Sequence, residues 1–364
     1  MKKTAISMLL VLALVLSFVL VAAPAAQAAG HEHCVCGGIG KIGDHTACTN
    51  VTWTDLNAKI ADYRKVDGEK VWYELPTGNY YLSANLDIAD ANGKDAAIML
   101  IEADVSICLN GFKLSLSGNN NLRMFCDAAD AAKSLTFCDC KGTGEVYGGN
   151  RKGDTDTAAN GQLVRLGRAA ENAATLNIFG GKFSAVAGDA STGALFRLGD
   201  AGKLKVTFNM YGGTITGGKT ATASGKNGAN IAIYGTMNMY GGAVTNGVAT
   251  GKAGNILLGG TGSGATVNIK GGTVSGGEPN DIAAGDVSHV INIESAKSAV
   301  KVLMFEGATL KVGANLTKTN AELLYTVAPK NSNTGDSANL VVMGLGVVLG
   351  VAGMACLLPK KQTV

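Results

Sequence analysis

Three of the four histidines and three of the eight cysteines in this 364-residue chain fall within a stretch of eighteen residues. They are His31, His33, Cys34, Cys36, His45 and Cys48. Imidazole nitrogens and thiolates are the groups that wrap a structural Zn²⁺ tetrahedrally. Cys34, Cys36 and Cys48 with one of His31, His33 or His45 supply the four ligands. The same thiols can instead close a disulfide among Cys34, Cys36 and Cys48, which an oxidising exterior favours. The spacing belongs to no standard zinc finger, so a structural zinc and a disulfide both stand as expectations.

Elsewhere the chemistry-bearing residues are sparse. Arg165 and Arg197 occupy one repeat position, and Asp139 and Glu171 share an offset from a Gly-Gly pair. Eliminative cleavage of a uronan needs a carboxylate cluster for Ca²⁺ with an arginine or lysine base beside it, and glycoside hydrolysis needs two neighbouring carboxylates. No Asp-Asp pair or Ser/His/Asp set recurs, and His289 stands alone in the sequence. The arginines are expected to pair with Asp189, Asp200 or Glu171 on a solvated face. Cys108, Cys126, Cys138 and Cys140 are expected as small apolar core residues in a column, with an inter-coil disulfide as the alternative. Cys138 and Cys140 flank Asp139, so on a strand both would point away from it. The expectation is a protein that is not an enzyme and carries no cofactor beyond the zinc.

What must position these residues is a repeat. Leu176-Asn-Ile-Phe-Gly-Gly181 returns as Phe208-Asn-Met-Tyr-Gly-Gly213, Met237-Asn-Met-Tyr-Gly-Gly242 and Val267-Asn-Ile-Lys-Gly-Gly272, in steps of 32, 29 and 30 residues. Within each copy the apolar residues alternate with period two, the periodicity of a strand. Stacked one coil above another, like residues would lie roughly 4.8 Å apart. Asn177, Asn209, Asn238 and Asn268 would form an amide ladder, with Phe179, Tyr211 and Tyr240 in an aromatic column beside it. Such a face can dock sugar rings, and it can equally serve only to stabilise the sheet. The Gly-Gly pair supplies a corner with positive φ.

Further strands flank each copy, such as Leu195-Phe-Arg-Leu-Gly199 before it and Thr214-Ile-Thr216 after it. Three short strands per turn of about 30 residues describe an all-β, parallel β-helix solenoid, since a propeller blade needs about 40 residues or more. A short N-terminal capping helix is expected, with Thr54 as its cap, Trp53 as a staple, and Leu56, Ile60 and Tyr63 on its apolar side.

The motifs also carry a resemblance. Leu109-Asn-Gly-Phe-Lys-Leu-Ser115, then Leu135-Thr-Phe-Cys-Asp-Cys-Lys-Gly-Thr-Gly144, then serial Gly-Gly-Thr-x-x-Gly coils resemble the right-handed parallel β-helix surface proteins of Gram-positive bacteria, which implies a right-handed solenoid here. Their domain is similar to the pectin-lyase-like fold. The His31-Glu-His33-Cys34-Val-Cys36-Gly-Gly start looks like the N-terminal region of those same secreted proteins. At the other end, Asn331-Ser-Asn-Thr334-Gly335-Asp, an uncharged run over 340–358 and Lys360-Lys361 resemble a sortase sorting signal. The resemblance implies cleavage between Thr334 and Gly335. Asn331 and Ser332 stand where that family usually has leucine and proline.

The domain plan is therefore a signal peptide over 1–29, the His/Cys-rich segment 30–50, the β-helix over 51–328, and a polar linker with sorting signal and transmembrane segment over 329–364. The formal charge of +3 falls to zero when Lys2, Lys3, Lys360, Lys361 and Asp336 are set aside. A neutral body lacks the basic footprint that nucleic-acid binding requires. The function expected is that of an extracellular protein held on the cell wall or membrane by its C-terminus. Its role is adhesive, glycan-binding or structural, with a glycan or host surface as ligand. The alternative is a carbohydrate-active enzyme, a polysaccharide lyase or glycoside hydrolase.

Overall fold

A computed structural model describes residues 51–88, 97–101, 104–116, 123–127, 133–148, 162–167, 173–185, 194–200, 206–220, 228–260, 263–305, 307–313 and 323–328. Their strands form three sheets, of eleven, ten and seven strands among these residues. We call them sheets 1, 2 and 3, in the order in which each coil visits them. One full coil runs through Phe196–Leu198, Val206–Met210 and Thr214–Thr216, and the next through Ile231–Ile233, Thr236–Met239 and Ala243–Thr245. Successive coils pair in parallel. This is the parallel β-helix that the repeat predicts.

The register follows the hexapeptide. On sheet 2, Leu176, Phe208, Met237, Val267 and Ile291 are partners in sequence, as are Asn177, Asn209, Asn238, Asn268 and Asn292. A slip of one residue would turn the buried set out to solvent, so the alternation specifies the pairing strongly. Inside the helix, Phe125, Phe137, Phe183 and Phe196 meet edge to face at centroid distances of 5.1–5.4 Å. Their quadrupoles favour that geometry over face-to-face contact.

Both glycines of each corner have a physical reason. The second adopts a left-handed backbone, with φ of +77° at Gly213, +81° at Gly242 and +88° at Gly272. The first is pressed against the coil below. A Cβ on Gly241 or Gly271 would lie 2.5 Å from the carbonyl oxygen of Tyr211 or Tyr240. Only glycine fits such a stack of corners.

The N-terminal end corrects one expectation. Thr54 lies inside the strand Trp53–Asp55, paired with Tyr80, and does not cap the helix. The cap is Asp55, whose carboxylate accepts from the N–H groups of Asn57 at 2.9 Å and Ala58 at 3.3 Å. The helix Leu56–Lys59 continues as a 3₁₀ turn, Ile60–Tyr63. Leu56 is fully buried, with Ile60 and Tyr63 packed against the core, so the apolar side is as expected. A hairpin of Arg64–Asp67 with Lys70–Leu75, the antiparallel pair among the described strands, follows it. At the other end, Val300–Phe305, Thr309–Val312 and Leu323–Ala328 continue sheets 1 and 2.

Candidate functional site

The outer face of sheet 2 presents its residues in columns. Each asparagine amide donates to the one in the preceding coil. Asn292 reaches Asn268 at 2.6 Å, Asn268 reaches Asn238 at 2.9 Å, Asn238 reaches Asn209 at 3.0 Å, and Asn209 reaches Asn177 at 3.0 Å. Asn177 ends the run on the Thr136 hydroxyl at 3.3 Å. Every link points the same way, so the amide dipoles align and reinforce one another. At the far end Asn292 Oδ1 is buried and has no hydrogen-bond partner.

Beside the amides stand the rings. Phe179 and Tyr211 lie 4.6 Å apart and 8° from parallel, and Tyr211 and Tyr240 lie 5.0 Å apart and 6° from parallel. Lys270 places its ammonium 5.2 Å from the Tyr240 centroid and closes that end of the stack. Both faces of Tyr211 are therefore occupied. A sugar ring stacks on an aromatic face, so the column as a whole is no docking platform. Phe179 itself also borders a cleft, shared with the corner of the preceding coil.

There a cleft of about 490 Å³ opens, lined by Asp139, Cys140, Lys141, Gly142, Phe179, Gly180, Gly181, Lys182, Gly213 and Thr214. Lys182 bonds to Glu145 at 2.9 Å, and Lys141 stands 5.4 Å from the Phe112 ring. Asp139 is 6% exposed, and its oxygens accept from the N–H groups of Gly111 at 2.8 Å and Gly144 at 2.6 Å. It leaves the strand Lys133–Cys138 instead of continuing it, so Cys140 does not project in parallel with Cys138 as alternation predicts. Cys138 is fully buried, whereas Cys140 turns back until its sulfur lies 3.3 Å from that of Cys108. The shared contact with Cys108, and then burial, push the Cys140 thiol well above its ordinary range.

The two arginines stack as expected, and Asp200 is their partner. Arg165, however, lies off the solvated face, while Arg197 and Asp200 stay partly exposed. Arg165 is 3% exposed, held by the Asp200 carboxylate and by the carbonyl of Gly199 at 2.5 Å. Arg197 bonds to the other oxygen of Asp200 at 2.5 Å and lies 5.6 Å from the Tyr234 ring. One carboxylate between two guanidiniums offsets the like-charge repulsion.

His289 is not alone in space. Its Nδ1 accepts from the N–H groups of Gly285 at 3.1 Å and Asp286 at 3.2 Å, so Nε2 carries the proton. That N–H faces Ser263 Oγ and the Gly260 carbonyl, each at 2.9 Å, while Ser263 donates to the Gly259 carbonyl at 2.6 Å. A histidine with both nitrogens engaged this way has no lone pair with which to activate the serine. Burial holds its pKa below the usual value. The Ser–His contact is a corner brace.

Sequence reasoning missed a second ladder, buried at the start of sheet 1. Asn230 donates to Asn255 and Asn255 to Asp281, each at 2.9 Å, and the same side chains accept from the backbone of Gly218, Gly247 and Gly277. The signal was present as Asn230-Ile231, Asn255-Ile256 and Asp281-Ile282, one residue before the strands. It lay hidden because each coil closes it with a different loop length.

The proposed zinc or disulfide residues His31, His33, Cys34, Cys36, His45 and Cys48 lie outside the described residues, as do Glu171, Asp189, Thr334 and Gly335. Among the described residues no group of three or more His, Cys, Asp or Glu side chains is placed to hold a metal ion, and no helix is long and apolar enough to cross a membrane. The run 340–358 is not among them. Comparison with protein-family models, with curated protein sequences and with solved structures found no match to the chain.

Proposed function

We propose that this is an exported, surface-anchored β-helix whose role is to bind a glycan, not to cleave one. The observation that carries the reading is that Phe179 lines a cleft together with Lys141 and Lys182. An apolar ring face suits the C–H face of a sugar, and the ammoniums suit its hydroxyl or acid oxygens. The lyase or hydrolase alternative is weaker because the groups it would recruit are committed elsewhere. Asp139 is tied to two backbone N–H groups, Asp200 to two arginines, and His289 has no basic nitrogen to offer. The leader over 1–29 and the tail over 329–364 support export and retention at the wall or membrane. The motifs also resemble those of the pectin-lyase-like surface proteins of Gram-positive bacteria. A second, purely structural reading draws on the amide ladder, whose side chains from Asn177 to Asn292 bond to one another along the sheet.

A glycan array probed with the full chain released from the cell surface tests the proposal. Retention of a glycan by the wild type and its loss in Phe179→Ala supports it. A blank array from a chain with an intact β circular-dichroism spectrum refutes it and leaves the structural reading. Anchoring is read separately. A C-terminal peptide ending at Thr334 with wall fragments attached supports sorting, and an intact tail in the membrane fraction rules it out.

A further inference from the structure

We infer that Cys108 and Cys140 are a disulfide pair that staples two successive coils. Their sulfurs already lie 3.3 Å apart, in contact, so a small side-chain rotation brings them to the bonding distance of about 2.05 Å. The reason lies in the corner. Cys108 is the direct strand partner of Cys138, but the chain leaves the sheet at Asp139 and Cys140 folds back over Cys108. The fold-back is held on both sides. Asp139 clamps Gly111 and Gly144, and Cys140 Sγ lies 3.6 Å from Asn110 Oδ1. Asn110 and Gly111 are themselves a left-handed turn, with φ of +52° and +79°. The thiols are thus pre-placed by two adjoining turns, one of which, at Asp139–Gly142, lines the cleft. Cys108 is fully buried, whereas Cys140 lines the open cleft and offers an entry point to an oxidant.

The oxidant is a disulfide from outside the chain, either a small-molecule disulfide or that of an exported dithiol oxidase. Cys140 first gives up its proton to water in the cleft, a step its raised pKa slows, and the thiolate then attacks the donor, breaking its S–S bond and expelling one thiolate. The Cys108 thiolate then attacks the Cys140 sulfur of the mixed disulfide and expels the second. Two protein thiols become one S–S bond, and the donor leaves as two thiols carrying the two electrons and two protons. The setting rests on the export reading, because a reducing cytosol would keep the pair as thiols.

The test uses purified full-length chain treated with oxidised glutathione, blocked by alkylation after denaturation, digested and analysed by mass spectrometry. The expected product is a crosslinked peptide joining Cys108 to Cys140. It should persist in Cys126→Ser and Cys138→Ser and vanish in Cys108→Ser. The thermal midpoint should rise by several degrees and fall back on reduction, as a closed loop of this size implies. Alkylation of both cysteines, or a crosslink from either one to a different cysteine, overturns the inference. Export is scored independently from the N-terminus of the chain recovered from cells. A chain that keeps residues 1–29 yet joins Cys108 to Cys140 overturns the export reading and supports the pair.

Discussion

Tyr211 lies face to face with Tyr240, 5.0 Å away and 6° from parallel, with its opposite face on Phe179. Tyr211 therefore belongs to two ring pairs and Phe179 to one. Each such pair is worth about 0.5–1.5 kcal/mol beyond the burial of area. Tyr211→Ala should destabilise the chain by about 1–3 kcal/mol and Phe179→Ala by about half that in urea denaturation. The order should invert in glycan retention, because Phe179 lines the cleft and Tyr211 does not. If both variants lose binding in proportion to stability, the cleft is not the site.

The amide ladder predicts a dependence on position. Asn238 both donates to Asn209 and accepts from Asn268, whereas Asn292 only donates. A net hydrogen bond is worth about 0.5–1.5 kcal/mol, and these groups are half-buried. Asn238→Ala should cost about 1–2 kcal/mol and Asn292→Ala about half as much. Equal losses at the two positions would show that the ladder is not a chain of directed bonds.

The buried ladder should be more sensitive. Asn255 accepts from Asn230 and from Gly247 N–H, and donates to Asp281 and to the Ser275 carbonyl. Asn255→Ala removes all four bonds at once and deprives the buried Gly247 N–H of its acceptor and Asn230 and Asp281 of one partner each, at about 1–3 kcal/mol for each group that finds no water. We expect a loss of at least about 3 kcal/mol, or failure to fold. A thermal melt of Asn255→Ala matching that of Asn238→Ala would contradict this ranking.

His289 sets a pH dependence. Its folded pKa lies below the ordinary value of 6.5 because burial disfavours the charged ring, and the two N–H groups on Nδ1 require the neutral form. Its contribution is therefore fully present above pH 6.5. It is lost as the pH falls below 6.5 toward the folded pKa, where the unfolded chain binds a proton that the folded chain does not. Thermal midpoints of wild type and His289→Gln, followed from about pH 8 to pH 5, should converge at the acid end. Parallel curves would show that His289 does not titrate in this way.

Much of the scaffold was legible because a repeat states its own register. The hexapeptide places Asn177, Asn209, Asn238 and Asn268 at one phase of a two-residue alternation, and in-register stacking is the arrangement that buries Leu176, Phe208, Met237 and Val267 together. The paired glycines announce the corner, since a left-handed residue pressed against the coil below admits no side chain. The Asp55 cap was misplaced by one residue because Thr54 and Asp55 are both good caps, and only the pairing of Trp53–Asp55 with the strand Gly78–Tyr81 decides between them.

The sequence by itself determined the period, the inward and outward faces, and the columns that result when a strand pattern is repeated. These are local or near-neighbour properties, and one coil's pattern is enough to specify them. Only the tertiary structure decided which contacts the columns leave over. It turned the rings face to face, so that Tyr211 is covered on both sides, and it set Phe179 on the edge of the cleft. It placed one carboxylate, Asp200, between two arginines that the repeat alone would set in repulsion. It folded Cys140 out of its strand and onto Cys108, a contact set by how two non-repeating turns meet. Ring tilt, charge partners and turn-to-turn contacts depend on residues outside the repeat, and no periodicity records them.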